Sequence, residues 1–327
     1  MAWDKEGVVI IPQMMNGLRA LAPNMVGLRK KFYKISCPAA EDIVRNVTWR
    51  RAATSLNLPA KLLRTHFHGC FVRGCDASVL VNSTANNTAE KDAIPNLSLE
   101  GFDVIDEIKT QLENTCPGKV SCADILALSA RDSVAFQVLR AVQKPRVVGR
   151  RDGIVSEALE AFTDIPSPFF NFWTPLQSFK SKGLSVHDLV VLSGGHTIGA
   201  GHCNLVSNRL YNFTGKGDQD PSLNPTYVAF LKNKCKILNE ATTTVEIDPG
   251  SSQNFDTAYF ATKQRKGLFQ SDAALLTNRT PNKIVGELLN SNVFFREFAQ
   301  PMKRMGAIGV LPGTSGEIRK KCSVINS

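Results

Sequence analysis

Residues 64–78 read Arg64-Thr65-His66-Phe67-His68-Gly69-Cys70-Phe71-Val72-Arg73-Gly74-Cys75-Asp76-Ala77-Ser78. Leu62, Leu63 and Phe67 supply an apolar helical face, and Pro59 sits where a first turn tolerates proline. Arg64 and His68, four residues apart, share one side of that helix. Cys70 and Cys75 are close enough in sequence to tie the loop that follows. A cationic donor fixed beside a neutral base is what a site needs to split a small polar molecule such as a peroxide. The plainer reading is an arginine and a histidine lying by chance on a half-buried helix.

Outside this stretch, the 327 residues are 43% hydrophobic and 21% charged, ordinary for a soluble globular protein. No aliphatic run approaches a membrane span, so no membrane partner is expected. The net charge is +10. Its basic residues are scattered, with small clusters at Arg29-Lys30-Lys31 and Arg319-Lys320-Lys321. Neither zinc-finger spacing nor an RNA-binding aromatic signature accompanies them, so nucleic acid is not the expected partner. An anionic extracellular polymer, or no dedicated partner at all, fits the charge as well.

Eight cysteines, at 37, 70, 75, 116, 122, 203, 235 and 322, span the chain without any CxxC pair. Zinc ribbons and thioredoxin motifs are thereby excluded. An even, dispersed set points to disulfides in an oxidising compartment, and spacing alone leaves about 105 pairings open. Acceptor triplets at Asn46, Asn82, Asn86, Asn212 and Asn278 suit a secreted glycoprotein. No signal peptide is evident: Asp4 and Glu6 come early, and Pro12 interrupts the apolar Val8–Ile11. Residues 1–31 read as a lead-in and 32–326 as one domain.

From Phe32 onward the pattern is helical, and convincing strands are scarce. Helices are expected over Phe102–Leu112, Cys122–Val134, Tyr227–Leu238, Phe255–Lys266 and Asn292–Met305. Pro301 should kink the last one or move its boundary. Ser185-Val-His-Asp188 starts another helix with a capping box, and Gly194-Gly195 should end it. His196 follows those glycines, which let a flat, bulky group approach the backbone. It reads as an axial haem ligand, or as a helix-terminal histidine favoured by the dipole. His66, His187 and His202 read as structural or exposed.

Several motifs occur in order: Arg64…His68, Cys122-Ala-Asp-Ile-Leu, Gly149-Arg-Arg-Asp-Gly153, Leu192-Ser-Gly-Gly-His-Thr-Ile-Gly199, Arg209-Leu-Tyr-Asn-Phe213, Gly267-Leu-Phe-Gln-Ser-Asp272 and Gly316-Glu-Ile-Arg319. Over about residues 30–325 the chain resembles the secretory plant haem peroxidases, class III. The resemblance implies a mainly α fold of two helical lobes enclosing one haem b, with four disulfides. It implies a monomeric, secreted or cell-wall enzyme. Such an enzyme reduces hydrogen peroxide and oxidises small phenolic donors by one-electron steps, with roles in oxidative stress and wall phenolic metabolism.

Residue by residue, the resemblance makes His196 the axial iron ligand and Asp272 the acceptor of its other ring N–H. His68 becomes the distal acid and base, Arg64 the stabiliser of developing charge, and Asn96 the group that orients His68. Phe67 walls the pocket. Within Ile165-Pro166-Ser167-Pro168-Phe169, Pro166 and Phe169 line the edge where donors dock. The implied disulfides are Cys37–Cys116, Cys70–Cys75, Cys122–Cys322 and Cys203–Cys235. Two calcium sites are implied. The proximal one uses Thr197, Asp248, Ser251 and Asp256. The distal one uses Val72 and Gly74 carbonyls, Asp76 and Ser78, with Glu90 linked through water.

The chain departs from that pattern in places. Gly69 replaces the usual aspartate, a calcium ligand beside the distal base, so weaker distal calcium binding and a less firmly held His68 are expected. Residues 137–148 do not follow the family. Glu100 stands for an arginine at a normally buried position, a charge reversal. These departures motivate an alternative: a non-catalytic haem-binding or wall-binding relative with an impaired distal side.

Overall fold

The computed structural model describes residues 27–138, 147–261, 267–311 and 313–326. Most of the lead-in and most of the divergent 137–148 stretch lie outside them. The chain is mainly helical, as expected. Its first four helices are α1 (Ala40–Thr54), α2 (Leu58–Phe71), α3 (Phe102–Thr115) and α4 (Cys122–Gln137). They bury one core around Val44, Leu62, Ile105, Ile108 and Ile125. Then come α5 (Ala158–Asp164), α6 (Trp173–Ser181), α7 (Val186–Ser193), α8 (Ser207–Tyr211) and α9 (Pro225–Lys234). Residues 258–261 are also helical, followed by α10 (Gln270–Ala274), α11 (Arg279–Glu287) and α12 (Ser291–Met305). A second core gathers Phe179, Leu189, Val190, Phe260 and Phe294. The described strands, β1 (Ala200–His202) and β2 (Thr244–Glu246), form one small antiparallel pair with Gly201 opposite Val245.

Helix α2 joins the two cores. Leu58 and Leu62 face the first, while Leu63, Cys70 and Phe71 face the second. A helix apolar on both flanks leaves a narrow polar strip, and Arg64 and His68 lie on it. Local chemistry fixes several helix starts. Proline opens the first turn of α2. The Ser121 hydroxyl accepts from Asp124 N at α4, and Ser185 with Asp188 makes the full capping box of α7.

Helix α7 ends at Ser193, just before Gly194-Gly195, as expected. The stop is not left-handed; the φ of Gly194 is −60°, and the chain runs on as a 3₁₀ turn over Gly194–Thr197. A Cβ there would lie 2.6 Å from the Phe294 ring and 2.8 Å from that of Phe260. The glycine admits those rings. Helix α12 continues through the buried Pro301 to Met305, so the proline does not move its boundary. Glu100 is exposed rather than buried. Its carboxylate pairs with Lys61, and only its carbonyl faces inward, accepting from Thr65 Oγ1 at 3.2 Å.

Disulfides link Cys37–Cys116, Cys70–Cys75, Cys122–Cys322 and Cys203–Cys235, and no described cysteine is free. The Cys122–Cys322 bridge lies beside a fully buried ion pair. Asp152 accepts from Cys122 N, Ala123 N and Arg319 N at 3.1, 2.8 and 2.9 Å. The Arg319 guanidinium reaches Ala77 O at 2.8 Å and Cys322 O at 2.6 Å. This pins the loop after α2 to the C-terminal segment and to the start of α4.

Candidate active site

Asn96 ends a 3₁₀ turn over Ile94–Asn96, opposite α2. Its Oδ1 lies 2.7 Å from His68 Nδ1, and its Nδ2 donates to Glu90 O at 2.7 Å. The second bond fixes which end of the amide faces the imidazole. Nδ1 therefore carries the proton, and Nε2 keeps a free lone pair. Burial, and then the Arg64 charge, push the His68 pKa down to about 3, partly opposed by the Asn96 bond. A neutral histidine with a free Nε2 is a competent base.

Arg64 is anchored to the same loop. Its Nη1 donates to Ser98 O at 3.1 Å and Ser98 Oγ at 3.0 Å, and its Nη2 donates to Pro95 O at 3.0 Å. Burial lowers its pKa to about 10, which leaves it charged at neutral pH. The structure thus brings Arg64, His68 and Asn96 together through one short loop. The Phe67 ring meets His68 edge-on, with centroids 5.6 Å apart, and packs on Phe71 at 4.3 Å.

On the other side, His196 lies in the 3₁₀ turn after α7. A Cβ on Gly195 would lie 3.5 Å from Leu63, and one on Gly199 would lie 2.9 Å from Ala60, so this turn packs along α2. His196 Nδ1 is 2.9 Å from Asp272 Oδ1. Phe269 and Tyr259 meet the imidazole edge-on. Asp272 is buried, yet the His196 side chain is 41% exposed. An imidazole held at Nδ1 by a buried carboxylate, with its Nε2 side open, suits an iron ligand, and the residues fit a haem. Tyr259 also donates to Asp272 Oδ1, at 2.7 Å; sequence motifs give no sign of it. Burial first, then Asp272, hold the Tyr259 phenol well above its usual range, so it stays a donor.

Pro166 is half-buried and Phe169 exposed. Pro168 O accepts from Ser271 N at 3.0 Å, which ties this segment to the helix carrying Asp272.

Two oxygen clusters have the chemistry of cation sites. In the first, Thr197 Oγ1 lies 3.1 Å from Asp248 Oδ2 and 3.2 Å from Asp256 Oδ1, while Ser251 Oγ lies 2.5 Å from Asp256 Oδ2. Asn254 O, 3.4 Å from Thr197 Oγ1, joins them; being a backbone atom, it left no sequence signal. In the second, Asp76 and Glu90 are buried, and burial pushes both carboxyls up, Glu90 to about 8. Among the described residues, neither Glu90 carboxylate oxygen nor Ser78 Oγ has a hydrogen-bond partner. Orphaned buried oxygens of this kind fit a hard cation. Gly69 adds no carboxylate. Among the carbonyls expected there, Val72 O has Lys182 Nζ 3.5 Å away, and Gly74 O accepts from Asp76 N at 2.7 Å.

Comparison with known proteins accords with this geometry. A family profile described as Peroxidase matches residues 44–291. The chain is 50% identical over 313 residues to Peroxidase 56 of Arabidopsis thaliana, covering 94% of each protein. It is 50% identical over 311 residues to Peroxidase 3 of the same plant, again 94% of each. With the Arabidopsis Peroxidase 27, identity is 51% over 306 residues, 93% of this chain and 94% of the relative. The chain belongs to the plant peroxidase family. Its helical, four-disulfide fold is that family's, and its enzyme class is peroxidase.

Proposed function

We propose that this chain is a haem b peroxidase that reduces hydrogen peroxide and takes the electrons one at a time from small phenols. The observation that carries the reading is the pair of oriented histidines along α2: His68 held by Asn96 and His196 held by Asp272. Haem, when bound at His196, supplies the electrons that break the O–O bond and stores the oxidising equivalents.

The protein's own groups manage protons and charge. His68 Nε2 takes the proton from one peroxide oxygen and delivers it to the other, which leaves as water. Arg64 stabilises negative charge developing on that leaving oxygen. Asn96 keeps Nδ1 protonated, so Nε2 is the atom that works. Two phenols docking near Pro166 and Phe169 each give up one electron and one proton, which balances the reduction of peroxide to two waters.

Residues 32–326 act as one catalytic domain. The first oxygen cluster, Thr197, Asp248, Ser251 and Asp256, binds a calcium ion tightly. The second, with Val72, Gly74, Asp76, Ser78 and Glu90, binds one weakly for want of a carboxylate at Gly69. Four disulfides favour an oxidising, extracellular setting, and the +10 charge favours an anionic wall polymer as a surface partner. No described helix is long and apolar enough to cross a membrane.

The test is an absorption spectrum of the protein refolded with haem and calcium, before and after one equivalent of hydrogen peroxide. The reading requires a ferric Soret band that changes with peroxide and returns when a phenol is added. A bound haem indifferent to peroxide would overturn it in favour of a non-catalytic relative. Against that alternative, the His68–Asn96 bond is present despite Gly69.

A further inference from the structure

Asp272 Oδ1 accepts from two side chains at once, His196 Nδ1 at 2.9 Å and the Tyr259 hydroxyl at 2.7 Å. Tyr259 is well placed to hold this contact. It is 2% exposed, its ring stands edge-on to His196 at 5.9 Å, and Phe260 packs against it at 5.1 Å. The backbone leading into it is fixed as well, since Ala258 N donates to Asp256 Oδ1 at 2.8 Å.

Two donors on one carboxylate oxygen compete for the same negative charge. The more of it the phenol draws, the less basic Asp272 is toward His196 Nδ1–H. Asp272 alone would pull that proton strongly and give His196 much imidazolate character. With the phenol attached, the pull is moderated, and His196 becomes a weaker electron donor through Nε2.

We propose that Tyr259 is a positioning residue of the proximal side, which sets the electron-donating strength of His196 by holding Asp272 through its hydroxyl. The inference rests on the reading of His196 as the iron ligand. It assigns to a residue outside the sequence motifs a control over the ease with which the bound iron is reduced. A stronger phenol donor favours the ferrous form, and loss of the donor favours the ferric form.

The experiment measures the ferric/ferrous midpoint potential and the iron–histidine stretching band of the ferrous state, on protein refolded with haem and calcium. Wild type is compared with Tyr259→Phe, Asp272→Asn and the double variant. Tyr259→Phe should favour the ferric form about tenfold, about 59 mV for a one-electron couple, and raise the stretching frequency. Asp272→Asn should move both readouts the other way. On the Asp272→Asn background, Tyr259→Phe should do nothing further, because its route of action is gone. An unchanged potential in Tyr259→Phe, or an equal shift on both backgrounds, overturns the inference and makes Tyr259 a packing residue only. Should the phenylalanine variant fail to fold, protein grown with 3-fluorotyrosine keeps the ring and strengthens the donor. Its potential must then rise, and an unchanged value overturns the inference. A wild type that takes up haem without a histidine–iron band removes the underlying reading instead, and the inference with it.

Discussion

Asn96 bonds His68 Nδ1 through its Oδ1 and Glu90 O through its Nδ2, both at 2.7 Å. One buried amide therefore couples His68 to the backbone of a residue in the second oxygen cluster. With both ends of the amide engaged, the imidazole has one tautomer and little freedom to turn. Asn96→Val keeps the volume and deletes both bonds. It should slow the reaction with hydrogen peroxide by roughly 10–100-fold, while His68→Leu should slow it by about 10²–10⁴-fold. Stopped-flow mixing with limiting peroxide checks both, and wild-type speed in Asn96→Val would remove Asn96 from the mechanism.

The acid limb of the rate profile follows from His68. A histidine in water is half protonated near pH 6.5. In the folded chain, burial and the Arg64 charge lower that point to about 3. Protonation destroys the base, so activity falls as pH drops through the folded pKa, not the free one. The peroxide step should stay flat from pH 7 to about pH 4 and decline only toward pH 3. Arg64→Leu removes the second cause of the shift and should move the limb upward, on top of its loss of rate. A wild-type limb centred near pH 6.5 would contradict the buried, neutral His68.

Much of this site is visible in the sequence because short-range chemistry encodes it. Arg64 and His68 lie one helical turn apart, and the capping box of Ser185 and Asp188 forms as read. What escaped depends on residues distant in sequence. Gly194 does follow the last residue of α7, as read, but its second task, admitting the rings of Phe260 and Phe294 from elsewhere in the chain, shows only in the fold. Glu100 looks like a buried charge reversal until Lys61 is seen beside it in solvent. Tyr259 carries no motif at all, and its partnership with Asp272 exists only once the two segments pack together. Asn254 contributes a carbonyl, which every residue has, so only the folded loop reveals it.

Asp152 should be the most costly carboxylate to remove for stability. It is fully buried, accepts two backbone N–H groups at the start of α4, and receives Arg319 N as well. The equally buried Arg319 guanidinium lies 3.9 Å away, with other donors on Asp76 O, Ala77 O and Cys322 O. Asp152→Ala strands that charge and the amides together, and should cost about 3–5 kcal/mol in denaturant unfolding of the disulfide-intact protein. Asp152→Asn keeps the shape and should cost less. A loss under about 1 kcal/mol for the alanine variant would mean that water or relaxation replaces the carboxylate.

Calcium should bind in two unequal steps. In the first cluster Thr197 Oγ1 lies 3.1 Å from Asp248 and 3.2 Å from Asp256, Ser251 Oγ lies 2.5 Å from Asp256, and two of the four residues are carboxylates. The cluster of Asp76, Ser78 and Glu90 has oxygens without hydrogen-bond partners among the described residues but a glycine at position 69, and the Lys182 ammonium, paired with Asp164, already lies 3.5 Å from Val72 O. With Glu90 reaching the ion only through water, Asp76 would be the one direct carboxylate against two in the first cluster, and fewer direct negative ligands mean weaker binding of a hard cation. Gly69→Asp should strengthen the weaker step about tenfold and leave the stronger one alone. The substitution carries a packing cost, because its Cβ would sit 3.1 Å from Val79 Cγ1, so without calcium the variant should be slightly less stable than wild type. Calorimetric titration of calcium into the metal-stripped protein reads both steps, and denaturant unfolding with and without calcium reads the cost. Two equally tight steps in the wild type would show that Glu90 and Asp76 suffice without a carboxylate at position 69. An unchanged weaker step in Gly69→Asp would show that the new side chain, crowded by Val79 and Leu126, does not reach the ion.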